Sequence, residues 1–125
     1  MTAFLVGFGG AVGAIARFWL SGLVGRRVGE TFPWGTLVVN VSGCFAIGLI
    51  AGLLRDAAVA RSLWPAAVTG VLGSYTTVSS FSLQTMNLMR VGEWRHAAGN
   101  VAASLLLCLA ATGLGFGLAA LLVAA

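Results

Sequence analysis

The residues best suited to binding chemistry lie between Gly70 and Ser82, a stretch that reads Gly-Val-Leu-Gly-Ser-Tyr-Thr-Thr-Val-Ser-Ser-Phe-Ser. Seven of these thirteen residues carry a hydroxyl group, yet the stretch lies inside an otherwise apolar segment long enough to cross a bilayer. Polar side chains and irregular backbone are tolerated in a membrane only where protein buries them or where they line a watery path. We therefore predict a broken transmembrane helix at a functional site.

The composition indicates an integral membrane protein. Of the 125 residues, 59% are hydrophobic and 8% are charged, which excludes an ordinary soluble globule. The net charge of +4 comes from arginine alone, and no soluble basic face exists to bind nucleic acid. Cys44 and Cys108 lie in apolar runs without a CxxC grouping, so we expect small buried hydrophobes. We expect one multi-pass domain, residues 1–125, in a prokaryotic inner membrane.

Four apolar segments are long enough to cross the hydrocarbon core, which takes about 20 helical residues. They cover about 3–24, 34–54, 63–89 and 97–123. The predicted fold is therefore all-α, with four transmembrane helices and a break in the third near Gly73 to Val78. Glycines at small-xxx-small spacings in the first span, among them Gly7, Gly9 and Gly13, predict close helix packing.

Two polar residues stand out within the first two spans. Arg17 is either an arginine that extends to the interface or a buried cation that helps to place an anion or holds the dimer together. Asn40 shares a helix face with Thr36 and Gly43, so its amide either joins two helices or has a functional role. The residue types alone leave both questions open.

A weakly polar stripe runs down the fourth span. Its members recur every four residues: Asn100, Ser104, Cys108 and Thr112. The stripe either packs against neighbouring helices, with hydroxyls bonded back to their own helix, or lines a polar path.

The arginines in the loops give only a weak orientation signal. The first and third loops carry four (Arg26, Arg27, Arg90 and Arg95), whereas the second carries Arg55 and Arg61. So small a bias allows insertion in either orientation, and therefore an antiparallel dimer.

Enzymatic activity is not expected. The three acids, Glu30, Asp56 and Glu93, fall in predicted loops, and no catalytic triad, metal cluster or nucleotide-binding motif is present. A proton- or cation-coupled exporter normally needs a carboxylate within the membrane, whereas amide, hydroxyl and guanidinium donors favour an anion.

Three sequence blocks together resemble the Fluc/CrcB family of fluoride channels. The first is Gly9-Gly10-Ala11-Val12-Gly13-Ala14 with Arg17, and the second is Gly35-Thr36-Leu37 with Val39-Asn40 and Gly43. The third is Gly70-Val71-Leu72-Gly73 with Thr76-Thr77, Ser79 and Phe81-Ser82. The resemblance covers all four spans in order.

That resemblance implies a dual-topology antiparallel homodimer with two pores that export fluoride passively through the lipid bilayer. The carbonyls of Gly73 and Thr76 would hold a structural sodium ion at the helix break. Asn40 would line the pore, and the ring edge of Phe81 would face fluoride. The remaining polar track would comprise Ser80, Ser82 and the stripe from Ser104 to Thr112.

The sequence departs from the family pattern at Val78, where phenylalanine is usual, and at Tyr75, where a small or aliphatic residue is usual. Asn100 stands where the family often has tyrosine. Val78 removes one aromatic contact from each pore, which leaves open a low-activity channel, a heterodimer subunit or a non-conducting scaffold. A small four-helix multidrug exporter is a further alternative, although it requires a membrane acid.

Overall fold

The computed structural model describes residues 1–55 and 57–125, and every regular element in them is helical. The elements are α1 (Thr2–Val28), α2 (Trp34–Leu53), α3 (Ala57–Trp64), a π-helix (Pro65–Leu72), α4 (Gly73–Tyr75), α5 (Val78–Arg90) and α6 (Trp94–Ala124). The predicted all-α class is confirmed. Asp56, one of the three acids expected in loops, lies outside the described residues.

Three helices of the described chain are long and apolar enough to cross a membrane: α1, α2 and α6. Even the shortest, α2 with 20 residues, extends for about 30 Å, the thickness of the hydrocarbon core. The predicted third span, 63–89, is instead divided among the end of α3, the π-helix, α4 and α5.

Large apolar side chains cover the outside of these helices, as lipid requires. Phe8 and Phe18 of α1 and Leu106 and Leu121 of α6 are all exposed. The buried positions of α2 and α6 are instead mostly small: four of the seven on α2 are glycine, and those on α6 are alanine and glycine apart from Asn100. In a soluble protein the large apolar side chains lie between the helices. Here they lie on the outside, and small residues lie between the helices.

Helices α2 and α6 pack backbone against backbone along a seam of glycines. Gly48 lies against the Thr112 carbonyl, and Gly52 lies against Ala119 and Phe116. Later residues of α2 contact later residues of α6, so the two helices run in the same direction. A Cβ at Gly115 would lie 2.9 Å from the Leu49 nitrogen, so this seam admits no larger side chain there.

A second glycine seam joins α1 to the π-helix. A Cβ at Gly9 would lie 2.7 Å from the Ala66 carbonyl oxygen, and one at Gly70 would lie 2.9 Å from that of Val6. Gly13 lies against Val71, so α1 and the π-helix also run in parallel. The close packing predicted for Gly9 and Gly13 is confirmed, whereas Gly7 has no such neighbour within 4 Å.

These directions fix how the chain runs. The start of α2 packs on the end of α1, with Gly35 against Ser21, so α2 returns antiparallel to α1. The π-helix then runs alongside α1 again, and α6 runs alongside α2. Successive long segments therefore alternate in direction.

We expect Gly115→Ala to destabilise the protein and Gly117→Ala, two residues later on the same helix, to leave it unharmed. The new methyl at position 115 would meet the α2 backbone, and overpacking of this kind costs about 1–3 kcal/mol. At Gly117 nothing lies within 4 Å, so alanine adds only its higher helix propensity, up to about 1 kcal/mol. Thermal unfolding in a mild detergent compares the two, and equal midpoints would contradict the seam.

Candidate functional site

The helical backbone stops at Thr76 and Thr77, where both residues are extended. Thr76 has φ −75° and ψ 155°, and Thr77 has φ −148° and ψ 124°. The sequence predicts unwinding from Gly73 to Val78, but the interruption is only these two residues. Helical bonding continues up to the Thr76 N–H, which donates to the Leu72 carbonyl at 3.0 Å, and α5 starts at Val78.

The side-chain amide of Asn40 pairs with the interrupted backbone at Thr77. Its Nδ2 donates to the Thr77 carbonyl at 2.8 Å, and its Oδ1 accepts from the Thr77 N–H at 2.7 Å. The amide therefore replaces, from α2, the helical acceptor that the Thr77 N–H loses at the break, and it adds a second donor to the Thr77 carbonyl, which as the N-cap carbonyl also accepts the first bond of α5. A primary amide has a second N–H, which these bonds leave uncommitted.

The Thr77 side chain starts α5. Its Oγ1 accepts from the Ser80 N–H at 3.1 Å, which is an N-cap bond that satisfies one of the orphan donors of the new helix. The residue is buried, so its hydroxyl is held in place by protein rather than by water.

The two carbonyls predicted to bind sodium lose their helical partners for the same reason. In an α-helix the Gly73 carbonyl would accept from the Thr77 N–H, but that group donates to Asn40. The Thr76 carbonyl would accept from the Ser80 N–H, but that group donates to the Thr77 hydroxyl. Unpaired backbone carbonyls are good ligands for a hard cation, so these residues fit the predicted ion.

A groove of about 730 Å³, here called the central groove, opens beside the break. It is lined by residues of α2, the π-helix, α4, α5 and α6, and by the break itself. Seven of the residues predicted from the sequence meet there: Asn40, Gly73, Thr76, Val78, Phe81, Ser104 and Thr112. Among its described lining residues none is acidic or basic, and most of the wall is apolar.

Arg17 and Ser80 lie elsewhere. They line a separate cavity of about 240 Å³, here called the side cavity, together with Thr36. Thr77 lines both spaces and therefore stands between them. Ser82 is exposed on α5 and lines neither.

The polar residues of the stripe predicted for the fourth span lie on α6 and have different roles. Thr112 donates its hydroxyl proton back to the Cys108 carbonyl at 2.9 Å, so it offers the groove only oxygen lone pairs. Asn100 is 2% exposed and donates to Thr85 at 2.9 Å, which turns it towards α5. Ser104 also lines the groove, and its hydroxyl forms no hydrogen bond with another described residue.

Sequence reasoning missed the clamp between Tyr75 and Ser42. Their hydroxyls lie 2.8 Å apart, and Ser42 donates its proton to the Val39 carbonyl at 3.0 Å. The Tyr75 hydroxyl must therefore be the donor to Ser42. It also missed the capping role of Thr77, although a threonine directly before a helical segment is a recognised start signal.

We expect Asn40→Asp to destabilise the protein by about 1–3 kcal/mol, because a carboxylate cannot donate to the Thr77 carbonyl. Asn40→Leu, which removes both bonds, should cost at least as much. Ser104→Ala is the matched control from the same groove and should shift unfolding by less than about 0.5 kcal/mol. Denaturation in detergent measures all three, and an Asn40→Leu protein as stable as the control would contradict the backbone role.

Comparison with known proteins places the chain in a family. The sequence profile described as "CrcB-like protein, Camphor Resistance (CrcB)" matches residues 4–116. The chain is 56% identical over 120 residues to the fluoride-specific ion channel FluC 2 of Rhodopseudomonas palustris, which covers 94% of this chain and 92% of that protein. It is 56% identical over 115 residues to FluC of Opitutus terrae (88% and 86% covered) and 47% identical over 110 to FluC of Methylocella silvestris (86% and 84% covered). The chain belongs to the CrcB family.

Proposed function

We propose that this protein is a fluoride-specific ion channel that lets fluoride leave the cell passively and so protects against fluoride toxicity. The observation that carries the proposal is the central groove, which joins an amide, a hydroxyl and an aromatic ring at a helix break and has no acid among its described lining residues. Relatives that are about half identical over nearly their full length are named fluoride-specific channels.

The groove offers the donors that a small, strongly hydrated anion needs in place of water. The second N–H of Asn40 and the hydroxyl of Ser104 supply hydrogen bonds, and the ring edge of Phe81 carries partial positive charge. These are neutral donors, so they bind fluoride without holding it too strongly for conduction. Ser82, which the sequence assigns to the polar track, is exposed outside both spaces and contributes no donor to the groove of one chain.

The side cavity is the approach to this path. Arg17 brings a positive charge beside Ser80 and Thr77, and within the described residues no carboxylate is paired with it. A cation in that position raises the local concentration of anions. Thr77 separates the side cavity from the central groove, so fluoride would pass this residue.

Export requires no coupled ion. An inside-negative potential drives an anion outward by about 2.3 kcal/mol per 100 mV. The alternative of a multidrug exporter lacks its essential feature, since none of the described residues lining either space is acidic. We place the channel in the inner membrane, as a multi-pass protein without enzymatic activity.

The channel is completed by a second copy in the opposite orientation. Val78 is 76% exposed beside the break, and the exposed Gly73 also lines the groove, so the groove opens onto the outside of a single chain. The alternating directions of the long segments support a third crossing made from the π-helix, α4 and α5. With that crossing the chain has four spans, and a weak arginine bias permits both orientations.

A sodium ion would join the two copies at their breaks. Each chain offers the two carbonyls that lose their helical donors, those of Gly73 and Thr76, which is too few for a hard cation by themselves. Two chains together offer four. The ion would offset the dipoles of these carbonyls and hold the broken helices together, a structural role rather than a catalytic one.

Liposomes that contain the purified protein and potassium fluoride should lose fluoride when valinomycin sets the membrane potential. Chloride should not substitute for fluoride, and efflux should not need a proton gradient. Asn40→Asp should abolish this flux, because it adds a negative charge to the groove wall. Vesicles that retain their fluoride, measured with an ion-selective electrode, would refute the channel.

Val78→Phe should raise the flux or leave it unchanged, since it adds a second ring edge to the groove. Val78→Leu, which enlarges the side chain without an aromatic edge, is the control. A large loss of flux in Val78→Phe alone would mean that position 78 does not face the path.

Replacement of sodium by N-methylglucamine should lower the unfolding temperature of the wild-type protein in detergent and weaken its dimer. Thr76→Ala should keep the response to sodium, because the proposed ligand is a carbonyl and not the side chain. An unfolding temperature independent of sodium, at constant ionic strength, would remove the ion from the proposal.

A further inference from the structure

Two thiols from neighbouring helices lie on the wall of the central groove. Cys44 of α2 and Cys108 of α6 are both half-buried and free. Both line the central groove. The sequence predicts only two separate small hydrophobes here, because the positions are 64 residues apart in the chain.

The packing of the two helices explains why the thiols meet. One turn after Cys44 comes Gly48, and one turn after Cys108 comes Thr112; Gly48 lies directly against the Thr112 carbonyl. Residues four apart lie on the same helix face, and α2 and α6 run in parallel. Cys44 and Cys108 therefore lie at matching positions of the two helices, one turn before the close contact of Gly48 with Thr112.

We propose that Cys44 and Cys108 form a binding site for a soft, two-coordinate divalent metal ion, with the mercuric ion as its simplest representative. Thiolates are the ligands that soft metals prefer, and one thiolate from each of two adjacent helices supplies the two ligands of a two-coordinate complex. In the binding step two S–H bonds break, two Hg–S bonds form and two protons pass to water, with no change in oxidation state.

The uncharged surroundings of the two thiols favour a divalent metal ion over a monovalent one. A divalent ion with two thiolates makes a neutral adduct, whereas a monovalent ion leaves one negative charge. No described residue of the groove carries a positive charge that would compensate such an anion. Hard cations are disfavoured at this position because both ligands are sulfur.

The consequence for conduction rests on the proposed function. Cys108 lies one turn from Ser104 and one turn from Thr112, and all three line the same groove. A metal held there stands in the polar track and should block fluoride flux. The binding itself does not depend on flux, so the two can be measured separately.

The binding test uses purified protein in mild detergent with one equivalent of mercuric chloride per chain, followed by native mass spectrometry. The wild type should retain one mercury per chain against an excess of a monothiol competitor. Cys44→Ser and Cys108→Ser should each lose it at a competitor concentration lower by about a hundredfold, because one thiol cannot chelate. The chain has two cysteines, so the double variant is a thiol-free blank. Wild-type retention no better than that of the single variants would overturn the site.

The flux test uses the same four proteins in liposomes. Mercuric chloride should reduce wild-type fluoride efflux at least about tenfold, a dithiol should restore it, and the double variant should be insensitive. Retention of mercury with undiminished efflux would overturn the block. An untreated wild type without efflux would refute the channel while the binding result still decides the metal site.

Discussion

The hydrogen-bonded pair between the Asn40 amide and the Thr77 backbone is the interaction on which the rest of the structure depends. A helix interrupted in hydrocarbon exposes N–H and C=O groups whose burial without partners costs several kcal/mol. Asn40 accepts from the Thr77 N–H, which has lost its helical acceptor, at 2.7 Å, and it donates to the Thr77 carbonyl at 2.8 Å. Because it takes the Thr77 N–H, the Gly73 carbonyl is released, and the cap by Thr77 releases that of Thr76 in the same way. The break is thus stabilised at Thr77, whereas the carbonyls of Gly73 and Thr76 are left without their helical donors.

The glycine seam between α2 and α6 gives this pair its surroundings. Lipid supplies no hydrophobic drive for helix association, so close backbone approach must hold the helices together. The contact of Gly48 with Thr112 sets the register in which the polar residues of α2 face the stripe of α6. Asn40 and Ser104 enter one groove for this reason, and so do Cys44 and Cys108. One packing arrangement accounts for both the proposed fluoride path and the proposed thiol site.

The two departures from the family pattern in α4 and α5 have different structural meanings. The Tyr75 hydroxyl is bonded to Ser42, and its ring lies against Gly43 on α2, so this aromatic side chain belongs to the helix contact. It does not replace the ring absent at Val78, and among the described residues that line the groove Phe81 supplies the only aromatic edge. Any contact between fluoride and an aromatic ring edge in this groove therefore depends on Phe81.

The membrane class, the all-α fold and the family follow from the sequence by itself, because apolar run length and the three blocks around Asn40 and Gly73–Ser82 are local features. The sequence also indicates that the stretch after Gly70 is irregular. Only the tertiary structure reduces the break to Thr76 and Thr77, assigns Asn40 to the backbone, separates Arg17 and Ser80 from the central groove and brings the two cysteines to one groove. These features depend on which turn of α2 lies against which turn of α6, and that register is set by glycine contacts between residues far apart in the chain, where no local pattern records it.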